Sequence, residues 1–368
     1  MLEQLKGKRV LVTGHTGFKG TWMCEALLQA GAEVTGYALD PPTDPSLFAL
    51  CGYADHINSV KGDVRDLEHL KQTFAEVRPE VVIHMAAQPI VRSSYDSPVE
   101  TYAINVMGTV NVMEAVRVTD SVRSVVNVTT DKVYKNREWS WGYRENEELN
   151  GYDPYSNSKS CSELVTDSYK NAFFSAEAVS QQSSAGGNGS RIVAVSTMRA
   201  GNVIGGGDFA KDRIIPDCIR AAQAKEDIVL RNPYSTRPDQ HVLEPVMAYL
   251  MVAAAQLEHP ELAGSYNVGP DEMDCRTTGE IADLFCSTWK NITGSEMHWI
   301  SRHDGGPHEA NFLKLDCSLL KNTFGWKPHW HVEQAMEEIV RWCVYWNTSP
   351  ETMREYIAEQ VKNYTSKN

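Results

Sequence analysis

Tyr155 and Lys159 stand one helical turn apart in the run Tyr155-Ser156-Asn157-Ser158-Lys159, a spacing that puts a phenol and an ammonium on one face of a helix. A positive neighbour stabilises phenolate, so a tyrosine that otherwise titrates near ~10 can take a proton close to neutrality. The same pattern arises by chance on amphipathic surface helices, and its meaning comes from its company. The polar cluster Thr129-Thr130-Asp131-Lys132 follows the apolar run 125–128, and Gly14-His15-Thr16-Gly17-Phe18-Lys19-Gly20 follows the apolar run Arg9–Thr13. Between a strand and a helix, glycines spaced Gly-x-x-Gly-x-x-Gly let bare backbone and the helix N-terminus approach a pyrophosphate. An ordinary tight turn is the alternative reading of Gly14, Gly17 and Gly20. Asp40 closes the next apolar run about twenty residues further on, where a carboxylate can accept from both hydroxyls of a ribose. The adjacent Pro41-Pro42-Thr43-Asp44 has no Lys or Arg to receive a 2′-phosphate, which favours NAD over NADP.

These groups need elements that carry them to one place. Arg9–Thr13, Glu33–Ala38, 81–85 and 125–128 are short, apolar on both faces and rich in β-branched residues. Helical patterns at 21–30, Leu67–Val77 and 99–118 lie between them. That alternation predicts a doubly wound parallel sheet covered by helices, with ligands beyond the carboxyl ends of the strands. A helix over 155–174 and a strand over 192–198 continue the rhythm, and the polar, glycine-rich stretch 175–190 between them reads as a flexible surface loop. Beyond 198, Pro/Gly-punctuated shorter elements suggest a second lobe. The expected division is a dinucleotide-binding unit over 1–202, also receiving a segment near 236–268, with 203–235 and 269–368 forming mainly the substrate lobe. The tail 331–364 reads as two amphipathic helices broken at Ser349-Pro350, their Trp342, Tyr345 and Trp346 stripe serving packing.

The 368 residues exceed one ordinary domain of ~100–200. With 42% hydrophobic and 23% charged residues the composition is globular. Acidic residues outnumber basic ones by 48 to 35, and a net charge of −13 opposes nonspecific binding to nucleic acid or an anionic membrane. The first eight residues lack the pattern of a secretory signal, and the longest apolar stretch, 246–255, is about half of the ~20 residues that span a bilayer. The eight cysteines have no metal-binding spacing, so reduced, packed thiols in a cytoplasm are expected and no metal is.

Taken in order, the glycine turn, Gly62-Asp63-Val64-Arg65-Asp66, His84-Met85-Ala86-Ala87-Gln88, the Thr130-Asp131 cluster, Tyr155-x-x-x-Lys159 and Arg199-Ala200-Gly201-Asn202-Val203-Ile204-Gly205 resemble the extended short-chain dehydrogenase/reductase superfamily. Within it the chain resembles the nucleotide-sugar 4,6-dehydratases over nearly its whole length. Thr130-Asp131-Lys132, residues 138–145 and Thr236-Arg237-Pro238-Asp239-Gln240-His241-Val242-Leu243-Glu244-Pro245 resemble the branch acting on CDP-glucose. Most of the group carries Thr-Asp-Glu where this chain has Lys132 in third place.

The resemblance implies a Rossmann-type enzyme using NAD as an internally regenerated hydride carrier to convert CDP-glucose to CDP-4-keto-6-deoxyglucose, a step feeding deoxysugar and lipopolysaccharide synthesis. It implies cofactor contacts from Gly14, Thr16, Gly17, Phe18, Gly20, Asp40, Asp63, Val64, Ala86, Ala87, Tyr155 and Lys159. Gln88, Asn202, Arg213, Arg237 and His308 would meet the sugar nucleotide, the guanidinium forks its diphosphate. Thr130 and Lys159 would assist Tyr155 at C4, Asp131 would protonate the C6 oxygen, and Lys132 is the candidate base at C5. His84 reads as a buried strand residue. A homodimer or homotetramer pairing through helices 99–118 and 155–174 is expected. Rival readings are a nucleotide-sugar 4-epimerase, a dehydratase for another nucleotide, a simple NAD-linked dehydrogenase, and a non-catalytic dinucleotide sensor or scaffold.

Overall fold

Strand β1, Arg9–Thr13, has four consecutive fully buried residues, so both of its faces are covered and it lies inside the sheet. The computed structural model, which describes residues 2–184, 191–302 and 312–366, places six more strands beside it. They are β2 (Glu33–Ala38), β3 (Asn58–Lys61), β4 (Val81–His84), β5 (Ser124–Val128), β6 (Ala194–Ala200) and β7 (Ser265–Val268). The order is β7-β6-β5-β4-β1-β2-β3, parallel throughout. Because β1 pairs with both β2 and β4, the winding reverses there, and a crevice opens beyond the carboxyl ends of β1 and β4. Register sets Thr13 opposite His84 and His84 opposite Asn127, so the segments leaving β1, β4 and β5 start at one level.

Helices α1 (Phe18–Gln29), α2 (Leu67–Val77) and α3 (Gly108–Val118) cover the sheet as the apolar spacing predicts. The helical stretch 99–118 is Pro98–Tyr102 running through one wide π turn at Ala103–Met107 into α3, and 155–174 is α4 (Pro154–Tyr169) ending in a second π turn, Lys170–Phe174. Two local expectations need correction. Part of the stretch read as a loop over 175–190 is helix Ala176–Ser184, capped by Ser175, whose hydroxyl accepts from the Ala178 amide at 3.1 Å. Residues 185–190 lie outside the described residues. Strand β3 was missed because its residues are largely exposed and carry no apolar pattern; only its ladder with β2, from Thr35–Asn58 to Ala38–Lys61, defines it.

After β6 the chain builds short paired strands, Ile228–Leu230 with Trp299–Ser301 and Thr236–Arg237 with Arg276–Thr277. They carry helices α5 (Ile214–Ala224) and α7 (Thr278–Thr293), the latter opened by a Thr277/Glu280 capping box. Between them α6 (Leu243–Glu258), buried nearly all round, packs on β5 and α1, and β7 closes the sheet edge. Helices α8 (Val332–Thr348) and α9 (Met353–Thr365) flank a turn at Pro350–Thr352, and α9 returns to pack on α1. Trp342 is fully buried against Gly206, where a Cβ would lie 2.1 Å from the indole, so the aromatic stripe is packing. Among the described residues no helix is long and apolar enough to cross a membrane, and no three His, Cys, Asp or Glu side chains are grouped to hold a metal.

Candidate active site

A cleft of about 1000 Å³ opens where Gly14, Met85 and Thr129 leave their strands and runs to the second lobe at Arg231 and Thr278. Its cofactor-side wall is bare by necessity. Gly14 has φ +78°, and a Cβ there would lie 2.8 Å from the Ala86 nitrogen; a Cβ on Gly20 would lie 2.2 Å from the Gly14 carbonyl oxygen. The turn thus folds on itself and against Ala86, whose amide donates to the Thr13 hydroxyl at 3.1 Å. Thr16 ties the turn to the end of β2 by donating to the Leu39 carbonyl at 3.0 Å. Gly17 caps α1, and Gly14, Thr16, Gly17, Phe18, Gly20, Val64, Ala86 and Ala87 all line the cleft. His15 turns away from it, pairs with Ser59 at 2.7 Å, and is held neutral by burial, its pKa lowered to about 4. His84 is buried as expected, between Thr13 at 2.7 Å and Thr109 at 3.1 Å.

At the far end of this wall Asp40 is 73% exposed and paired at 2.5 Å with Lys61 of β3. The sequence near Asp40 offers no cation; the missed strand supplies one across the sheet. Asp63 is bound by the Arg65 guanidinium and amide, which hold its carboxyl below the usual carboxylate range.

The reacting end is buried. Tyr155 is 8% exposed and shares a hydrogen bond with Thr130, whose hydroxyl lies 2.9 Å from Asp131 Oδ1. Burial pushes the phenol up to about 12, against the opposing pull of Thr130 and of the Arg213 charge. Lys159 donates to the Val128 carbonyl at 3.1 Å; burial lowers it to about 8, and Glu163 pulls it back up. Asp131 is 1% exposed, raised by burial, and its Oδ2 is buried without a partner; Lys132 lines the cleft beside it. Beneath them Glu163 of α4 accepts from Thr129 and Thr197 and pairs with Arg199 at 2.9 Å, so a buried ion pair fixes the floor.

On the second-lobe side Asn202, Arg213 and Arg237 line the cleft, Arg213 anchored to Asp208 at 3.0 Å. Gln88 is not brought to the wall: its amide donates to Thr101 at 2.9 Å and its carbonyl accepts from the Ile90 amide. His308 lies outside the described residues. Two further residues at the cleft carry no role in the sequence reading. Lys19, lowered to about 7 chiefly by burial, reaches the Tyr249 hydroxyl at 3.4 Å. Asp239 lines the wall beside Asn202. Both stand inside motifs visible in the sequence, and no spacing rule says which of a motif's side chains face the ligand. In the segment 138–145, Glu145 accepts from the Asn267 amide at 2.9 Å.

The sequence model described as GDP-mannose 4,6 dehydratase matches residues 11–339. A CDP-glucose 4,6-dehydratase of Salmonella typhimurium is 48% identical over 93% of this chain and 92% of its own. Among solved structures, dTDP-glucose 4,6-dehydratase from Bacillus anthracis in complex with NAD superposes with a TM-score of 0.72 at 22% identity, covering 94% of this chain and 99% of that one. UDP-glucose 4-epimerase from Thermus thermophilus, also in complex with NAD, gives 0.72 at 24% identity over 91% and 99%. The likeness to the two structures concerns the fold; the match over 11–339 and the 48% relative carry the kinship, and the chain belongs to the GDP-mannose 4,6 dehydratase family.

Proposed function

We propose that this chain is an NAD-dependent 4,6-dehydratase converting CDP-glucose to CDP-4-keto-6-deoxyglucose and water. The observation that supports it best is one cleft lined by a C4 pair, Tyr155 with Thr130, and by the Lys132 amine, with the Asp131 carboxyl buried against the Thr130 hydroxyl, in a chain 48% identical to a CDP-glucose 4,6-dehydratase. A 4-epimerase has no use for that amine and carboxyl.

The residues fit the dinucleotide: Gly14 and Gly20 leave no room for side chains where the pyrophosphate would approach, and Ala86 and Ala87 line its path. Bound NAD supplies the acceptor for the C4 hydride and its later return to C6. Tyr155 takes the C4 hydroxyl proton, with Thr130 orienting the phenol. Lys159, fixed on the Val128 carbonyl, holds a positive charge behind them. The new 4-ketone acidifies C5. Lys132 takes that proton and Asp131 gives one to the C6 oxygen, so water leaves across C5–C6. Asn202, Arg213 and Arg237 bind the sugar nucleotide, the two guanidinium groups serving its diphosphate.

Supporting a homodimer or dimer of dimers, the helices of the expected pairing face expose Val99 at 83%, Met107 at 52% and Leu164 at 57%. Function in the cytoplasm fits the eight unpaired thiols, five of them buried. Incubation with CDP-, dTDP-, GDP- and UDP-glucose, with product mass read for loss of one water, tests the assignment. Water loss from CDP-glucose at the highest kcat/KM is expected. Epimerised product of unchanged mass, or no reaction, would overturn it.

A further inference from the structure

Water loss needs a proton for the departing C6 oxygen, and the cleft contains a carboxyl that the mechanism above does not use. Asp239 sits in the short connection between Thr236–Arg237 and Gln240–His241, lines the cleft, and is 3% exposed. Its carboxyl takes a hydrogen bond from the Asn202 side chain, while Oδ1 is buried without a partner. Asp131 has the same unfinished valence at Oδ2 and, unlike Asp239, is not part of the cleft lining. The charged and titratable neighbours of Asp239 are Asp131 and Lys132 from the end of β5, Arg237 on its own connection, and the Cys275 thiol. The Asp131 charge opposes ionisation of Asp239 while Arg237 and Lys132 favour it, and burial decides the balance. Burial, with Asp131 adding its repulsion, pushes Asp239 up to about 6.

We propose that Asp239 is a second catalytic acid, a carboxyl in the cleft wall that serves the departing C6 hydroxyl alongside Asp131. The inference rests on the 4,6-dehydration proposed above. The Lys132 nitrogen takes the C5 proton, the C5–H electron pair becomes the C5–C6 double bond, and the C6–O bond breaks. The leaving oxygen takes one proton from the Asp239 carboxyl and departs as water, and the carboxylate left behind is reprotonated from solvent. The hydride removed from C4 returns to C6, and the Lys132 proton returns to C5. No outside oxidant or reductant enters.

Asp239→Asn keeps the shape and removes the acid. In single turnovers of the NAD-loaded enzyme with CDP-glucose, reduced-nicotinamide absorbance should rise as in the parent, while water loss slows by roughly 10²-fold. The alkaline limb set by ionisation of the Asp239 carboxyl should disappear from the water loss that remains. Asp239→Glu should restore both rate and profile. Asp239→Ser, read the same way, decides the matter if the asparagine variant does not fold. Unchanged water loss with an unchanged pH limb, or C4 oxidation falling in parallel with water loss, would overturn the proposal and leave Asp239 a structural or binding residue. A parent enzyme that releases no water from any of the four nucleotide sugars would instead overturn the dehydratase reading, and that result precedes any variant.

Discussion

The two ends of the cleft hold their charges in opposite ways. At the reacting end the Arg199–Glu163 pair is 4% and 2% exposed, and Thr130, Asp131, Tyr155 and Lys159 are all buried. At the opposite end the Lys61–Asp40 pair is 69% and 73% exposed. Inside, water cannot compensate a lost partner, so a charge there depends on the protein groups that hold it. Outside, water screens the pair and its removal costs little. Chemistry that must place a proton on a chosen atom occupies the first environment. Recognition of a flexible nucleoside end occupies the second.

The largest effect should come from breaking the buried end at the phenol. Tyr155→Phe leaves the packing and removes the acid/base group, so C4 oxidation should fall by roughly 10²–10⁴-fold or more. Substrate binding, measured by calorimetry, should largely survive; near-normal turnover would move the chemistry elsewhere. The floor beneath it is tested by Glu163→Gln, which strands the Arg199 charge. Breaking a buried pair this way costs about 3–5 kcal/mol, read as a shift in the urea midpoint. Replacing both partners by apolar residues should recover much of that loss, and a single variant as stable as the parent would show that the pair is not the brace described.

Acid should also act mainly on the buried end. His84 is neutral, its pKa lowered by burial to about 3. Between pH 6.5 and 3 the unfolded chain binds a proton there that the folded chain refuses, so its contribution is intact above pH 6.5 and is lost as pH falls through this window. At pH 5 the loss is about 2 kcal/mol relative to pH 7. His84→Gln should flatten the decline of the denaturant midpoint between pH 7 and 5 by that amount. An unchanged slope would mean that the imidazole is protonated in the folded protein.

How much of this could be read from the sequence divides along the same line. The buried end announces itself, because the glycines and Thr130-Asp131-Lys132 sit where apolar strands stop, apolar strands have a visible pattern, and Tyr155-x-x-x-Lys159 has helical spacing. The parallel sheet followed from the same pattern. The exposed end gives no such signal: β3 has Val60 as its single apolar residue and is largely exposed, so neither the strand nor the cation it presents to Asp40 could be inferred. Burial hides things too. Gln88 belongs to a motif that reaches the cleft, yet its amide is engaged by Thr101 and Ile90, and Asp239 belongs to one that sends only Arg237 and Asp239 itself to the cleft wall. Which side chain of a motif faces the ligand depends on backbone direction in a loop, and that information is tertiary.

The smallest effect, and the sharpest test of the contrast, lies with the exposed pair. Asp40 alone argues for a free ribose diol and against a 2′-phosphate, but Lys61 at 2.5 Å offsets its charge and is itself a donor suited to phosphate. The two residues should therefore act oppositely on cofactor choice. Asp40→Ala removes the acceptor for the diol and frees Lys61, so NAD should weaken while NADP holds or tightens. Lys61→Ala frees Asp40 and removes the cation, so NADP should weaken while NAD holds or tightens. Since an exposed pair is worth about 1 kcal/mol at most, each change in Kd should stay within roughly fivefold and shrink as salt is added. Equal weakening of both cofactors by either substitution would mean that Asp40 and Lys61 serve the fold of this edge rather than the ribose.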